Sequence, residues 1–314
     1  MLSEKEENMP FIWYKKEDDK RSLQEIIKEE MDVIIKFTHT NGAILFRGFD
    51  VDNEISLEEC TSSFPGNGLD YVGGNSPRTK LHNKVYTSTE YPPNLFISLH
   101  NELSYASSWP KFIFFCCSVP SHTGGSTVIA DSRKIYNDLS EELLNEFKTK
   151  GVRYIRNLNG GAGAGVSWQK TFETDNKYEV EEHCRLNQID IKWRSNNSLQ
   201  LIENRQAIVQ HDVSSEWVWF NQADQFHPST NPPQIYEALM DCYEDDVLSM
   251  PQYACFGDGS FIPLEYLDEI REVTRKHSVY FTWNKGDLLV LDNVLTAHGR
   301  EPFQGERKIL VSML

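Results

Sequence analysis

Basic residues are in the minority: 31 Lys and Arg stand against 47 Asp and Glu in 314 residues, a formal charge of −16. A field of that sign repels phosphates, so no nucleic-acid partner is expected. Long hydrophobic runs are missing too. The longest, residues 112–119, is far short of the roughly 20 residues a membrane-spanning helix needs, so no membrane partner is expected. No CxxC pair occurs among the six cysteines (60, 116, 117, 184, 242 and 255), which excludes zinc ribbons and thioredoxin chemistry. The first twenty residues carry many charges and no apolar block, so no secretory signal is expected, and six thiols in such a chain fit a reducing cytoplasm. The glycines at 160, 161, 163 and 165 lack the Lys-Ser/Thr of a phosphate loop and miss the dinucleotide spacing, which leaves a surface loop or lid.

What is present is the composition of a globular enzyme-sized chain, 39% hydrophobic and 12% aromatic. A chain of this length buries roughly 75% of its extended surface without a disulfide or metal staple. Ser22 and Glu25 form a capping box ahead of a helix that stops before Gly42, and 43–46 reads as a strand. Residues 64–94, with Gly73-Gly74-Asn75-Ser76-Pro77, read as a long ordered loop. Strands are expected at 95–99, 112–117, 127–130, 207–211, 217–220, 280–283, 288–291 and 309–313. Helices are expected from an Asp138 N-cap with Glu141 at N3 to Gly151, over about 233–248, and over 263–276 with Pro263 at N1. Early strands, a mixed insert and late strands point to one domain, 1–314, mainly β with flanking helices (α+β). Its core strands fall at about 40–155 and 278–314, with the insert at about 156–277.

His100-Asn101-Glu102 follows an apolar strand, where residues two apart share a face, so imidazole and carboxylate can converge. That is two-thirds of a facial triad for ferrous iron. By itself the motif has no weight: nine histidines and 47 acidic residues give about one such spacing by chance, the number observed. Context comes from the far end. His298 follows the strand and turn Leu288 to Asn293, and Arg307 lies nine residues further on. Arg offers a carboxylate two parallel hydrogen bonds where Lys offers a point charge, although a surface ion pair with Glu306 accounts for Arg307 equally well.

Leu99-His100-Asn101-Glu102-Leu103-Ser104-Tyr105, Gly124-Gly125-Ser126-Thr127, Ala130-Asp131-Ser132-Arg133, Leu291-Asp292-Asn293 and Ala297-His298-Gly299-Arg300-Glu301-Pro302-Phe303 form an ordered set. The set resembles the taurine dioxygenase and clavaminate synthase-like superfamily. Trp219-Phe220-Asn221-Gln222 and Gly257-Asp258-Gly259-Ser260 make it most similar to the branch of the syringomycin-biosynthesis aspartyl hydroxylase. The resemblance, from about residue 40 onward, implies a double-stranded β-helix (jelly roll), Fe(II), 2-oxoglutarate and O2. By motif position it implies iron at His100, Glu102 and His298, with Thr127 and Arg307 on 2-oxoglutarate. Arg307-Lys308 leaves open which basic side chain faces inward.

The implied reaction hydroxylates an unactivated C–H of an amino acid or derivative, free or bound to a peptide-synthetase carrier domain, releasing succinate and CO2. Desaturation or cyclisation starts from the same cofactors. A zinc hydrolase also uses two His and one carboxylate, but this chain has no His-Glu-x-x-His helix and a hydrolase has no use for Thr127 and Arg307. A catalytically dead jelly-roll binding module does not fit an intact triad. Arg78 and Asn221 are candidate substrate contacts, Arg78 being equally suited to a loop-bracing ion pair. His39, His82, His122, His183, His227 and His277 lack paired ligand spacing and read as structural, and His211, next to Asp212, could line the site.

Overall fold

The computed structural model describes residues 9–314 apart from 67, 69–72, 75–77, 90, 163–164 and 245. The expectations for Asn75-Ser76-Pro77 and Gly163 fall outside the described residues. The capping box is formed: Ser22 Oγ accepts the Glu25 N–H and opens the helix Leu23–Glu29. The expected single helix is two, because the backbone departs from helical geometry at Glu30 before resuming as Met31–Asn41. Gly42 ends it at φ +82°, where a Cβ would also stand 2.6 Å from Thr296 Oγ1, so only glycine fits.

Seven strands make the largest sheet, in the order Phe11–Tyr14, Ala43–Arg47, Leu288–Asp292, Phe112–Val119, Lys308–Met313, Val85–Thr87, Lys80–His82. Its central strands are apolar at nearly every position because both faces are buried. Ile44, Phe114, Val290 and Leu310 pack against Ile26, Ile34, Phe37 and Leu57 of the N-terminal helices. The alternate residues Leu45, Phe115, Leu289 and Val311 pack with Ile129 of a second sheet and with Trp283, just past that sheet's strand Val279–Phe281. That sheet runs Val279–Phe281, Thr127–Asp131, Thr296–Arg300, Ile97–His100 and is antiparallel throughout. A third sheet, Asp190–Trp193, Leu199–Arg205, Val152–Leu158, Gln252–Phe256, lies in the middle of the sequence. The chain is thus a sheet-rich α+β protein. The boundary expected near 155 cuts through Val152–Leu158, whose ladder partners all belong to the third sheet.

Three helix ends are corrected. Asp138 closes the helix Ser132–Asp138, and Ser140 caps Glu141–Lys150. The Asp138 carboxylate is engaged elsewhere, by Lys276 (2.6 Å) and His277 (2.8 Å). The helix Pro233–Cys242 stops short of 248, and Pro263 stands at the N-cap of Leu264–Lys276 rather than inside it. Among the described residues no helix is long and apolar enough to cross a membrane.

Candidate active site

His100 ends the strand Ile97–His100, and His298 is the middle residue of Thr296–Arg300. The two are register partners with ring centroids 4.6 Å apart. Between His298 and Arg300 the ladder slips, His298 opposing His100 and Arg300 opposing Ile97, so Gly299 faces a bulge. A Cβ there would sit 2.4 Å from the Ile97 carbonyl oxygen, which is why this position is glycine. Glu102 lies just beyond the strand, 3% exposed, and Leu103 follows in the left-handed region at φ +56°. The three side chains bring ligand atoms within 4.8 Å of one another, with His298 Nε2 3.9 Å from Glu102 Oε2.

The His100 Nδ1–H donates to the Ser98 carbonyl (2.9 Å), which leaves the Nε2 lone pair free. Gln225 Nε2 donates to the same carbonyl (2.8 Å) and holds it in place. Burial pushes the His100 pKa down, and burial together with His100 and Arg78 pushes that of His298 well down. Two neutral imidazoles and one carboxylate suit a divalent transition metal. Among the described residues the buried His298 Nδ1 has no hydrogen-bond partner, and the ring packs against Phe115 and His100.

A cavity of about 40 Å³ adjoins the triad, lined by Arg78, His100, Phe115, Thr127, His298 and Arg307 among others. Thr127 Oγ1 accepts the Trp283 indole N–H (2.9 Å), so its own O–H is left to donate. Arg307 Nε donates to the Gly125 carbonyl (3.0 Å), and burial, with Arg300 nearby, lowers its pKa to about 10. Lys308 points the other way, to Glu54 on the helix-covered side (2.9 Å). The two basic neighbours therefore lie on opposite faces, and Arg307 is the one in the cavity.

Arg78 enters the site as an ion-pair partner of Glu102 Oε2, both side chains 3% exposed. It braces the Glu102 carboxylate. Asn221 is buried with its carboxamide used on backbone: Nδ2 donates to the Ala207 carbonyl (2.9 Å) and Oδ1 accepts the Ala223 N–H (3.0 Å). It borders a separate cavity of about 240 Å³, which also reaches His100, Leu99, Ala297 and Ile270.

Spacing did not bring out a second group, His39, His211 and Asp292, whose ligand atoms also lie within 4.8 Å. It is a hydrogen-bonded brace. The Ser214 N–H donates to His211 Nδ1 (3.1 Å), so the proton sits on Nε2 and goes to Asp292 Oδ2 (3.0 Å). His39 Nδ1–H donates to the same oxygen (2.7 Å). Burial pushes the Asp292 carboxyl up, but these two hydrogen bonds outweigh it and hold the pKa below the usual range. His39 thus joins the helix Met31–Asn41 to the end of Leu288–Asp292, and His211 holds the same Asp292 oxygen rather than joining the iron-type triad.

This fold and this set of two histidines and one carboxylate suit a metal-dependent oxygenase. Over residues 8–314 the chain belongs to the taurine catabolism dioxygenase TauD, TfdA family. It is accordingly a non-haem iron dioxygenase that uses 2-oxoglutarate and O2. It is 37% identical to the dapdiamide synthesis protein DdaC of Enterobacter agglomerans over 273 residues, 87% of this chain and 82% of the relative. It is 27% identical to a clavaminate synthase-like protein of Arabidopsis thaliana over 295 residues, 91% and 86% of the two chains. In fold it is similar to AAD-2, solved with Mn(II) and N-oxalylglycine, at TM-score 0.57 and 14% identity over 98% of this chain and 94% of that one.

Proposed function

We propose that this protein hydroxylates an unactivated C–H bond of an amino acid or amino-acid derivative, free or carrier-bound, with release of succinate and CO2. The observation that carries the reading is two neutral imidazoles and one buried carboxylate converging beside Thr127 and Arg307. In this reading His100, Glu102 and His298 hold Fe(II) facially, and the bound metal and co-substrate supply the oxidising chemistry. The Arg307 guanidinium pairs with the distal carboxylate of 2-oxoglutarate, and the Thr127 hydroxyl donates to it. Arg78 stays on one Glu102 oxygen, which leaves the other for the metal and faces a cation toward an acidic substrate group. Asn221 serves the site by shaping the wall of its neighbouring cavity.

The seven- and four-stranded sheets are read as the two halves of a jelly roll within one domain, and the third sheet as its insert. The relative named for dapdiamide synthesis supports a small biosynthetic substrate. A carrier domain is the macromolecular partner this reading allows, and cysteines that are all unpaired suit the cytoplasm. The test is anaerobic addition of Fe(II) and 2-oxoglutarate. A weak visible charge-transfer band is expected in the wild type and not in Glu102→Ala, and its absence from the wild type overturns the reading.

A further inference from the structure

The strand that carries His100 ends at His100, so among the described residues Glu102 has no ladder neighbour for its own N–H and C=O. The Asn293 carboxamide supplies both. Its Oδ1 accepts the Glu102 N–H at 2.7 Å, and its Nδ2 donates to the Glu102 carbonyl at 3.0 Å. The second Nδ2 hydrogen goes to the Pro110 carbonyl (3.0 Å). A side-chain amide thus imitates a neighbouring peptide group for one residue, inside a region where Asn293 has no solvent exposure.

The clamp is itself fixed. Asn101 Nδ2 donates to the Asn293 carbonyl (2.6 Å), and Gln222 Nε2 donates to that of Asn101 (2.9 Å). On the other side Asp292 Oδ1 accepts the N–H groups of Val294 and Leu295 (2.9 and 3.1 Å), while its Oδ2 is held by His39 and His211. The turn that carries Glu102 runs straight into the left-handed Leu103. A conformation of that kind persists only where its surroundings over-determine it.

We infer that Asn293 is a positioning residue for the iron carboxylate: it fixes the backbone of Glu102 so that the side chain arrives at the same point as His100 and His298. The inference rests on the reading of Glu102 as an iron ligand. Asparagine is required because both functions come from one planar amide. Aspartate lacks the donor, and alanine leaves two buried backbone groups of Glu102 unpaired.

The test is Fe(II) binding under anaerobic conditions, by equilibrium dialysis with metal analysis, alongside melting temperature. Asn293→Ala is expected to weaken Fe(II) binding about 10- to 100-fold, the usual effect of removing a partner that orients a ligand. The matched control is Asn157→Ala, which deletes amide donations to the Leu248 and Met250 carbonyls beside the third sheet (2.9 and 2.6 Å). It is expected to lower the melting temperature and leave Fe(II) affinity unchanged. Should Asn293→Ala not fold, the isosteric Asn293→Asp keeps the acceptor for the Glu102 N–H, and a weakening between wild type and that range is expected. Wild-type affinity in the variant that folds, or equal weakening in Asn157→Ala, overturns the inference. A wild type that binds no Fe(II), or a Glu102→Ala variant that binds it normally, removes the ligand reading itself and the inference with it.

Discussion

Replacing Arg307 by Lys tests the co-substrate assignment most directly. Arg307 spends Nε on the Gly125 carbonyl, which leaves the two terminal nitrogens of its fork for a carboxylate. Lysine has one flexible ammonium group. It keeps the charge and loses one of two parallel charge-assisted hydrogen bonds, each about 1.5–3 kcal/mol. At 1.4 kcal/mol per decade, a loss of about 2 kcal/mol raises the 2-oxoglutarate requirement about 30-fold. The neighbouring Lys308→Ala is the internal control. It removes only a partly exposed pair with Glu54, of a kind that contributes at most about 1 kcal/mol to stability and touches no part of the cavity. Succinate release measured against 2-oxoglutarate concentration should show a raised KM for Arg307→Lys and a wild-type KM for Lys308→Ala, with Fe(II) binding intact in both. The reverse pattern refutes the assignment of the inward-facing cation.

His100→Ala and His298→Ala should each abolish turnover and lower iron stoichiometry while circular dichroism stays native, since each removes one ligand and little core; full activity with iron retained overturns the triad. Turnover under labelled oxygen should add one labelled atom to the product, as expected where Glu102 occupies the position a halide would need. Loss of two hydrogens indicates a desaturase or cyclase instead, and a chlorinated product in chloride buffer excludes Glu102 as a ligand. His227 is buried beside Arg271, and burial first, then that cation, lowers its pKa to about 4; its Nδ1 accepts the Ser229 N–H (3.2 Å) as a neutral ring does. A depressed histidine makes the unfolded chain the better proton acceptor, so stability falls as pH drops from about 6.5 toward about 4, by about 2 kcal/mol at pH 5. His227→Asn, which keeps an acceptor for Ser229, should flatten the melting temperature between pH 7.5 and 5; an unchanged slope shows that His227 is not the group responsible.

Much of this protein can be read along the chain because local chemistry decides it. Ser22 and Glu25 cap a helix through groups three residues apart, and Gly42 stops one because only glycine takes its backbone angle without a clash. The runs at 112–117 and 288–291 are strands because both faces of their sheet are buried. His100 and Glu102 stand two residues apart, but that spacing by itself has no weight, and since the strand ends at His100 it is the turn held by Asn293 that brings the two together. Tertiary structure decided what depends on groups far apart in sequence. Asp138 cannot cap a helix while it holds Lys276 and His277, more than a hundred residues away. Arg307 and Lys308 are equivalent in one dimension, and only the pleat of Lys308–Met313 against Glu54 separates them. Asn293 stands in the motif Leu291-Asp292-Asn293, but nothing in the sequence gives its role, because its partners are the backbone atoms of Glu102, and a backbone has no letter in a sequence.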